Sequence, residues 1–174
     1  MVEPDALAAD LLDGLADLPI EEVRARRAAC QRLETQLSYV RRLAQGRLDI
    51  VASEVTARRD GTSGDRTLVE QLTEALSDRL TSPGNGHLPM VLAPGEVDPE
   101  LLASLDRAAP PSQVTAPGSM GDDELRRVTD ALATLERAVS TRRRAMFDRI
   151  DALQAEIVRR YQSGEADVNS LLGR

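Results

Sequence analysis

Five side chains between positions 34 and 49 have the chemistry of a binding surface: Glu34, Ser38, Arg41, Gln45 and Asp49. Two carboxylates accept hydrogen bonds and a guanidinium donates them in a planar fork. A hydroxyl and an amide do both. Their offsets of 0, 4, 7, 11 and 15 keep them within an arc of about 80° on a helix, as a stripe about 22 Å long. The same offsets return 102 residues later as Glu136, Ser140, Arg143, Phe147 and Asp151. Four of the five residue types recur, with Phe147 standing where Gln45 stood. One copy alone would read as a solvated helix face with ordinary i,i+4 neighbours. A second copy at identical spacing turns the reading toward a ligand with anionic groups and hydrogen-bonding edges.

The elements that must carry these stripes are long helices. From Pro19, with Glu21 and Glu22 near the positive helix start, to about Arg58 there is no further proline, and Gly46 is the only glycine. Leu33, Leu37, Val40, Ala44, Leu48, Val51 and Val55 form an apolar seam with three- and four-residue steps. Each motif position follows a seam position by one residue, so the polar stripe lies about 100° around the helix and flanks the seam. The acids of Gly121-Asp122-Asp123-Glu124 open a second long helix. Its near-heptad seam is Leu125, Val128, Leu132, Leu135, Val139, Met146, Ile150, Leu153 and Ile157, with Arg142 where a core residue is expected and Gly164 as C-cap. A helix of this length lacks the packing that supplies most helical stability until its seam is paired. The connector of about 60 residues permits either relative direction of the pair.

At these residues the chain resembles the RsiG family, actinobacterial anti-sigma factors gated by cyclic di-GMP. The family signature is Glu, Ser, Arg, Gln and Asp at this spacing on each helix of an antiparallel coiled coil. The first copy here matches in full and the second departs at Phe147. The resemblance implies an all-α fold, an antiparallel coiled-coil hairpin of two long helices with short accessory helices. It implies cyclic di-GMP as ligand, as a dimer held across the helix pair, and a sporulation sigma factor of the WhiG type as partner. In that setting Glu34, Asp49, Glu136 and Asp151 can accept from the N1–H and N2–H edge of guanine. Arg41 and Arg143 can bind O6 and N7 bidentately, stack on the ring, or clamp a phosphate. Ser38 and Ser140 suit a phosphate oxygen close to the helix. Gln45 offers donor and acceptor together, whereas Phe147 offers a stacking surface or packs into the seam. Arg42 and Arg144 are secondary phosphate candidates.

The expected organisation is a short helix within 1–18, a first long helix at 19–59, a connector at 60–120, a second long helix at 121–164 and a tail at 165–174. In the connector, Thr67 to Leu80 reads as an amphipathic helix, Ser82 to Gly95 as loop, and Asp98-Pro99-Glu100 as the start of a short helix that ends before Pro110. The run to Gly121 is rich in Pro, Ser and Gly and reads as mobile linker.

Composition narrows the function classes. With 174 residues and 2% aromatic content, the chain has room for one domain or an elongated hairpin with little core. All 22 basic residues are arginine. The segments 19–59 and 122–163 hold 18 of them against 13 acids, while the rest of the chain holds 4 against 16. The net charge of −7 disfavours nucleic acid as a direct partner, and arginine-rich helices in an acidic chain suit a smaller anion. No segment is apolar enough to cross a membrane, and the acidic first 20 residues do not resemble a leader, so a cytoplasmic protein is expected. Cys30 stands alone and His87 has no metal-ligand companions. Without a nucleophile–base pair, a metal cluster or a glycine-rich phosphate loop, an enzyme is not expected. Two other readings stay open: a cyclic di-GMP effector acting on a different protein, and a purely structural coiled coil that oligomerises through its seams.

Overall fold

The computed structural model describes residues 10–61 and 97–165; the expected helix from Thr67 to Leu80 and the loop after it lie outside these residues. Every regular element among the described residues is helical. Helix α1 runs Ile20–Arg59, α2 Pro99–Ala108, α3 Pro111–Thr115 and α4 Asp122–Ser163, with 3₁₀ turns at Leu15–Asp17 and Pro117–Ser119. The chain divides into two compact units. One comprises Met1–Leu37 with Thr141–Arg174, the other Ser38–Ser140. Each long helix contributes one half of its length to each unit.

Start and stop signals act where the sequence places them. Pro19 occupies the N-cap of α1, and its carbonyl accepts from Glu22 and Val23 N–H. The Asp98 carboxylate accepts from Glu100 N–H at 2.8 Å, and Pro99 fills the first position of α2. Gly164 follows α4 at φ 76°, a left-handed conformation that a side chain resists. Upstream of α1, the expected N-terminal helix is described only from Asp10. It is a turn there, broken at Gly14 (φ 61°) before the 3₁₀ turn.

In the unit built from Met1–Leu37 and Thr141–Arg174, Leu11, Val23, Cys30, Leu37, Met146, Leu153 and Ile157 are buried. The pair is antiparallel here: the start of α1 meets the end of α4, where Arg24 Nη2 donates to Tyr161 Oη. Arg160, on the α4 seam and 6% exposed, donates to Leu18 O at 2.6 Å and to Leu15 O. Its Nε is held by Glu156 at 2.7 Å. A seam arginine thereby ties the N-terminal turn to α4 and satisfies carbonyls that would otherwise lack donors. On α1, Arg26 reaches the Leu11 carbonyl at 2.5 Å. Burial raises the Cys30 thiol above its ordinary pKa, with Arg149 opposing that shift, which disfavours the reactive thiolate.

In the Ser38–Ser140 unit the direction is again antiparallel, with Arg58 near the end of α1 paired to Asp122 at the start of α4 at 2.6 Å. Val40, Ala44, Val51, Leu125, Val128, Leu132 and Val139 are buried, with Leu101, Leu105, Ala109, Pro117 and Met120 from the accessory segment. Each large apolar side chain fully buried this way contributes about 1.5–3 kcal/mol before entropy is counted. Two expectations change, one on the seam and one in the linker. Val55 is 41% exposed, and Glu54, 3% exposed, takes the inward position one residue earlier. Its carboxylate is neutralised by Arg58 Nε at 2.7 Å. The run before Gly121, read as linker, instead forms α3 and the 3₁₀ turn at Pro117–Ser119. Prolines at the first turns of both pre-set helical φ, and Arg58 Nη2 donates to Met120 O at 2.7 Å.

Candidate functional site

The motif residues fall into two clusters, one in each unit. Each cluster sets the arginine of one copy against the first glutamate of the other. In the Ser38–Ser140 unit, Arg41 Nη1 lies 3.5 Å from Glu136 Oε1. The same oxygen accepts from Gln45 Nε2 at 3.3 Å and from Ser140 Oγ at 2.9 Å. Glu136 is thus the hub where three side chains from both copies converge. Ser38 and Asp49, also on α1 in this unit, are half-buried. In the other unit, Arg143 Nη1 lies 3.9 Å from Glu34 Oε1, and its guanidinium sits 5.3 Å from the centroid of the Phe147 ring. Asp151, one turn further along α4, is exposed.

The local reason for this placement is the seam. Leu37, Val40, Ala44 and Val139 are buried, so residues one position later project beside the seam, half covered by the facing helix. Side-chain exposures of 26% for Arg41, 22% for Glu136, 32% for Arg143 and 18% for Glu34 record that intermediate depth. Charge–charge pairs at such a depth are less screened than surface pairs yet open to solvent and ligand. Both cross-helix ion pairs are longer than the 2.7–2.9 Å of a well-formed charged hydrogen bond. Arg41 Nε is buried without a hydrogen-bond partner. A buried donor without an acceptor is costly, and an incoming anionic or carbonyl oxygen would relieve it.

Phe147 is 42% exposed while its neighbour Met146 is 1% exposed. Met146 therefore fills the seam and Phe147 does not, which removes the packing alternative for this residue. Arg142 is exposed as well, so the seam passes it by. Arg42 and Arg144, the secondary phosphate candidates, are exposed beside the clusters.

Sequence reasoning passed over Arg47. It lies between Gln45 and Asp49, donates to Ala109 O at 2.5 Å and Leu105 O at 3.3 Å, and pairs with Asp106 at 2.8 Å. It fastens the C-terminal end of α2, where carbonyls and the helix dipole favour a cation, to the stretch of α1 that carries the motif. A heptad count would have revealed it. Arg26, Arg47 and Glu54 share one register on α1 where apolar residues belong, and each holds another polar group.

Among the described residues no group of three or more metal-ligating side chains is present, and no helix is long and apolar enough to cross a membrane. The comparison with curated proteins finds no match. The model of the RsiG-like family matches residues 9–76 and 111–174. These spans include both motif copies, α1 and α4, and cover well over half the chain, so this chain belongs to the RsiG-like family.

Proposed function

We propose that the protein binds cyclic di-GMP through these two clusters and, when loaded, sequesters a sporulation-type sigma factor of the WhiG type. Membership of the RsiG-like family points to a regulator of the anti-sigma-factor type with a protein partner. The ligand and the particular sigma factor go beyond that. The observation that supports the ligand is the reciprocal pairing of Arg41 with Glu136 and of Arg143 with Glu34. Each cluster thereby holds an arginine for O6, N7 or phosphate and a carboxylate for the N1–H and N2–H edge. The long ion pairs release these groups to the ligand at small cost.

The same pairs favour a second reading, in which they only set the register of two helices and bind nothing. Calorimetry with cyclic di-GMP separates the two: saturable binding that is weakened in Arg41→Ala supports the ligand reading, and absence of heat supports the structural one. Titration of the sigma factor with and without ligand then tests sequestration. A loaded protein that binds another partner and leaves the sigma factor free would support an effector of a different kind.

A further inference from the structure

Three buried side-chain polar atoms among the described residues have no hydrogen-bond partner: Arg41 Nε, Arg27 Nε and Gln154 Oε1. Arg41 belongs to the motif, and the other two lie outside it. Arg27 stands seven residues before Glu34, and Gln154 seven after Phe147. Seven residues are two helical turns to within about 20°, so each continues the stripe of its own helix. Resting on the cyclic di-GMP reading above, we infer that the ligand surface of the unit built from Met1–Leu37 and Thr141–Arg174 runs past the motif. Arg27 and Gln154 are its further ligand-binding residues. Arg27 donates to a phosphate oxygen, and Gln154 accepts from an N–H or hydroxyl of the nucleotide.

Two cross-helix contacts bracket these residues. On the motif side, Arg143 Nη1 lies 3.9 Å from Glu34 Oε1. On the other side, Arg24 Nη2 donates to Tyr161 Oη, with the guanidinium 5.8 Å from the ring centroid. Arg27 is three residues from Arg24 and Gln154 is seven from Tyr161, which keeps both within about 11 Å of that contact along the helices. Tyr161 is itself the next heptad step on the α4 stripe, so that stripe still faces α1 at this level. Both side chains are half-buried, the same intermediate depth as Arg41 and Arg143.

That depth does not by itself leave an arginine idle. Arg26 reaches Leu11 O, Arg47 reaches Ala109 O and Arg160 reaches Leu18 O. Arg27 Nε has no such acceptor, and Gln154 Oε1 has no donor. Leaving either group buried and unpaired costs stability. An anionic oxygen satisfies the first and an N–H or hydroxyl the second, and a nucleotide presents both through its phosphate and its base or ribose. The extension belongs to one unit only. Through the 102-residue repeat, the equivalent positions are Thr129 and Ala52. The Thr129 hydroxyl donates to Leu125 O at 2.8 Å, and Ala52 has no polar side-chain atom.

Calorimetry on the full chain with cyclic di-GMP tests this through Arg27→Met and Gln154→Met, which keep an unbranched side chain and remove the polar atoms. Arg27→Met is expected to weaken binding about tenfold or more, and Gln154→Met about two- to tenfold, the scales of a hydrogen bond with and without a charged partner. Each variant loses an atom that the ligand-free protein leaves unsatisfied, so its melting temperature without ligand is expected to hold or rise. Thr129→Val, in the other unit, is expected to bind as wild type. Circular dichroism sets a temperature at which every variant keeps wild-type helicity. Wild-type affinity in both Met variants overturns the inference while cyclic di-GMP binding stands, and so does an equal loss in Thr129→Val. Losses of affinity that come only with a lowered ligand-free melting temperature assign both residues to packing and overturn it too. Absence of cyclic di-GMP binding to wild type removes the underlying reading, and the inference with it.

Discussion

The proposed recognition rests on single side chains, and their depth beside the seam decides how they can be tested. Arg41 and Arg143 are half-buried and outside the packed core, so Arg41→Ala and Arg143→Ala should leave helicity unchanged. Each should weaken cyclic di-GMP binding by about 1.5–3 kcal/mol, the usual worth of a hydrogen bond to a charged group. Calorimetry on the single and double variants measures this, and wild-type affinity in the double variant removes the ligand reading. Glu136 occupies a different position. Three donors share its Oε1, so Glu136→Ala should release Arg41, Gln45 and Ser140 together. Its effect on binding should be non-additive with that of Arg41→Ala, as expected within one network.

At the scale of elements, arginines on or near the seams attach the accessory segments. Arg47→Ala should free the C-terminal carbonyls of α2, costing about 1–3 kcal/mol for acceptors left without partners. Chemical denaturation measures that loss, and hydrogen exchange should localise it to 99–109. A change spread evenly over α1 and α4 would show that Arg47 serves general packing instead.

The N-terminal turn has an electrostatic dependence of its own. Hydrogen bonds from Arg159 and then Arg160 hold the Glu156 carboxyl down to about 2 from its ordinary 4.5. A depressed carboxyl adds stability that is fully present above the ordinary value and is lost as pH falls from about 4.5 toward 2. Since Glu156 orients Arg160, which binds the Leu18 carbonyl, the turn at 10–18 should loosen in that window. Glu156→Gln should flatten that part of the stability–pH profile. An unaltered profile would place the acid sensitivity elsewhere, with Glu165 the next carboxyl to examine, since Arg159 also lowers its pKa.

For the whole molecule the proposed behaviour is a gate. Outside 19–59 and 122–163 the chain holds 16 acids against 4 arginines. Under this proposal the excess is what would complement the basic DNA-facing surface of a sigma factor and compete with DNA. If ligand and sigma factor favour the same state of the protein, linkage requires each to tighten the other by the same factor. Titrations at fixed salt should therefore give equal ratios: sigma affinity with and without cyclic di-GMP, and cyclic di-GMP affinity with and without sigma. Equal sigma affinity in both conditions would eliminate the gate even where both partners bind.

The sequence by itself determined the two long helices, their seams and the two motif copies. These follow from local rules: apolar spacing, proline and acids at helix starts, glycine at an end, and a repeat legible as letters. It also determined that each stripe flanks its seam, since a one-residue offset on a helix is an angle. Only the tertiary structure decided the pairing of Arg41 with Glu136 and of Glu34 with Arg143, because a connector of that length permits either helix direction. Phe147 was ambiguous for a related reason: an apolar residue beside a seam can turn inward or outward, and Met146 had already filled the inward place. The structure alone also assigned Arg47, Arg58 and Arg160 to the carbonyls of accessory segments. In sequence these arginines look like ligand-binding charge. What separates them is which backbone oxygens lie within reach, and folding brings those from 58 to 145 residues away.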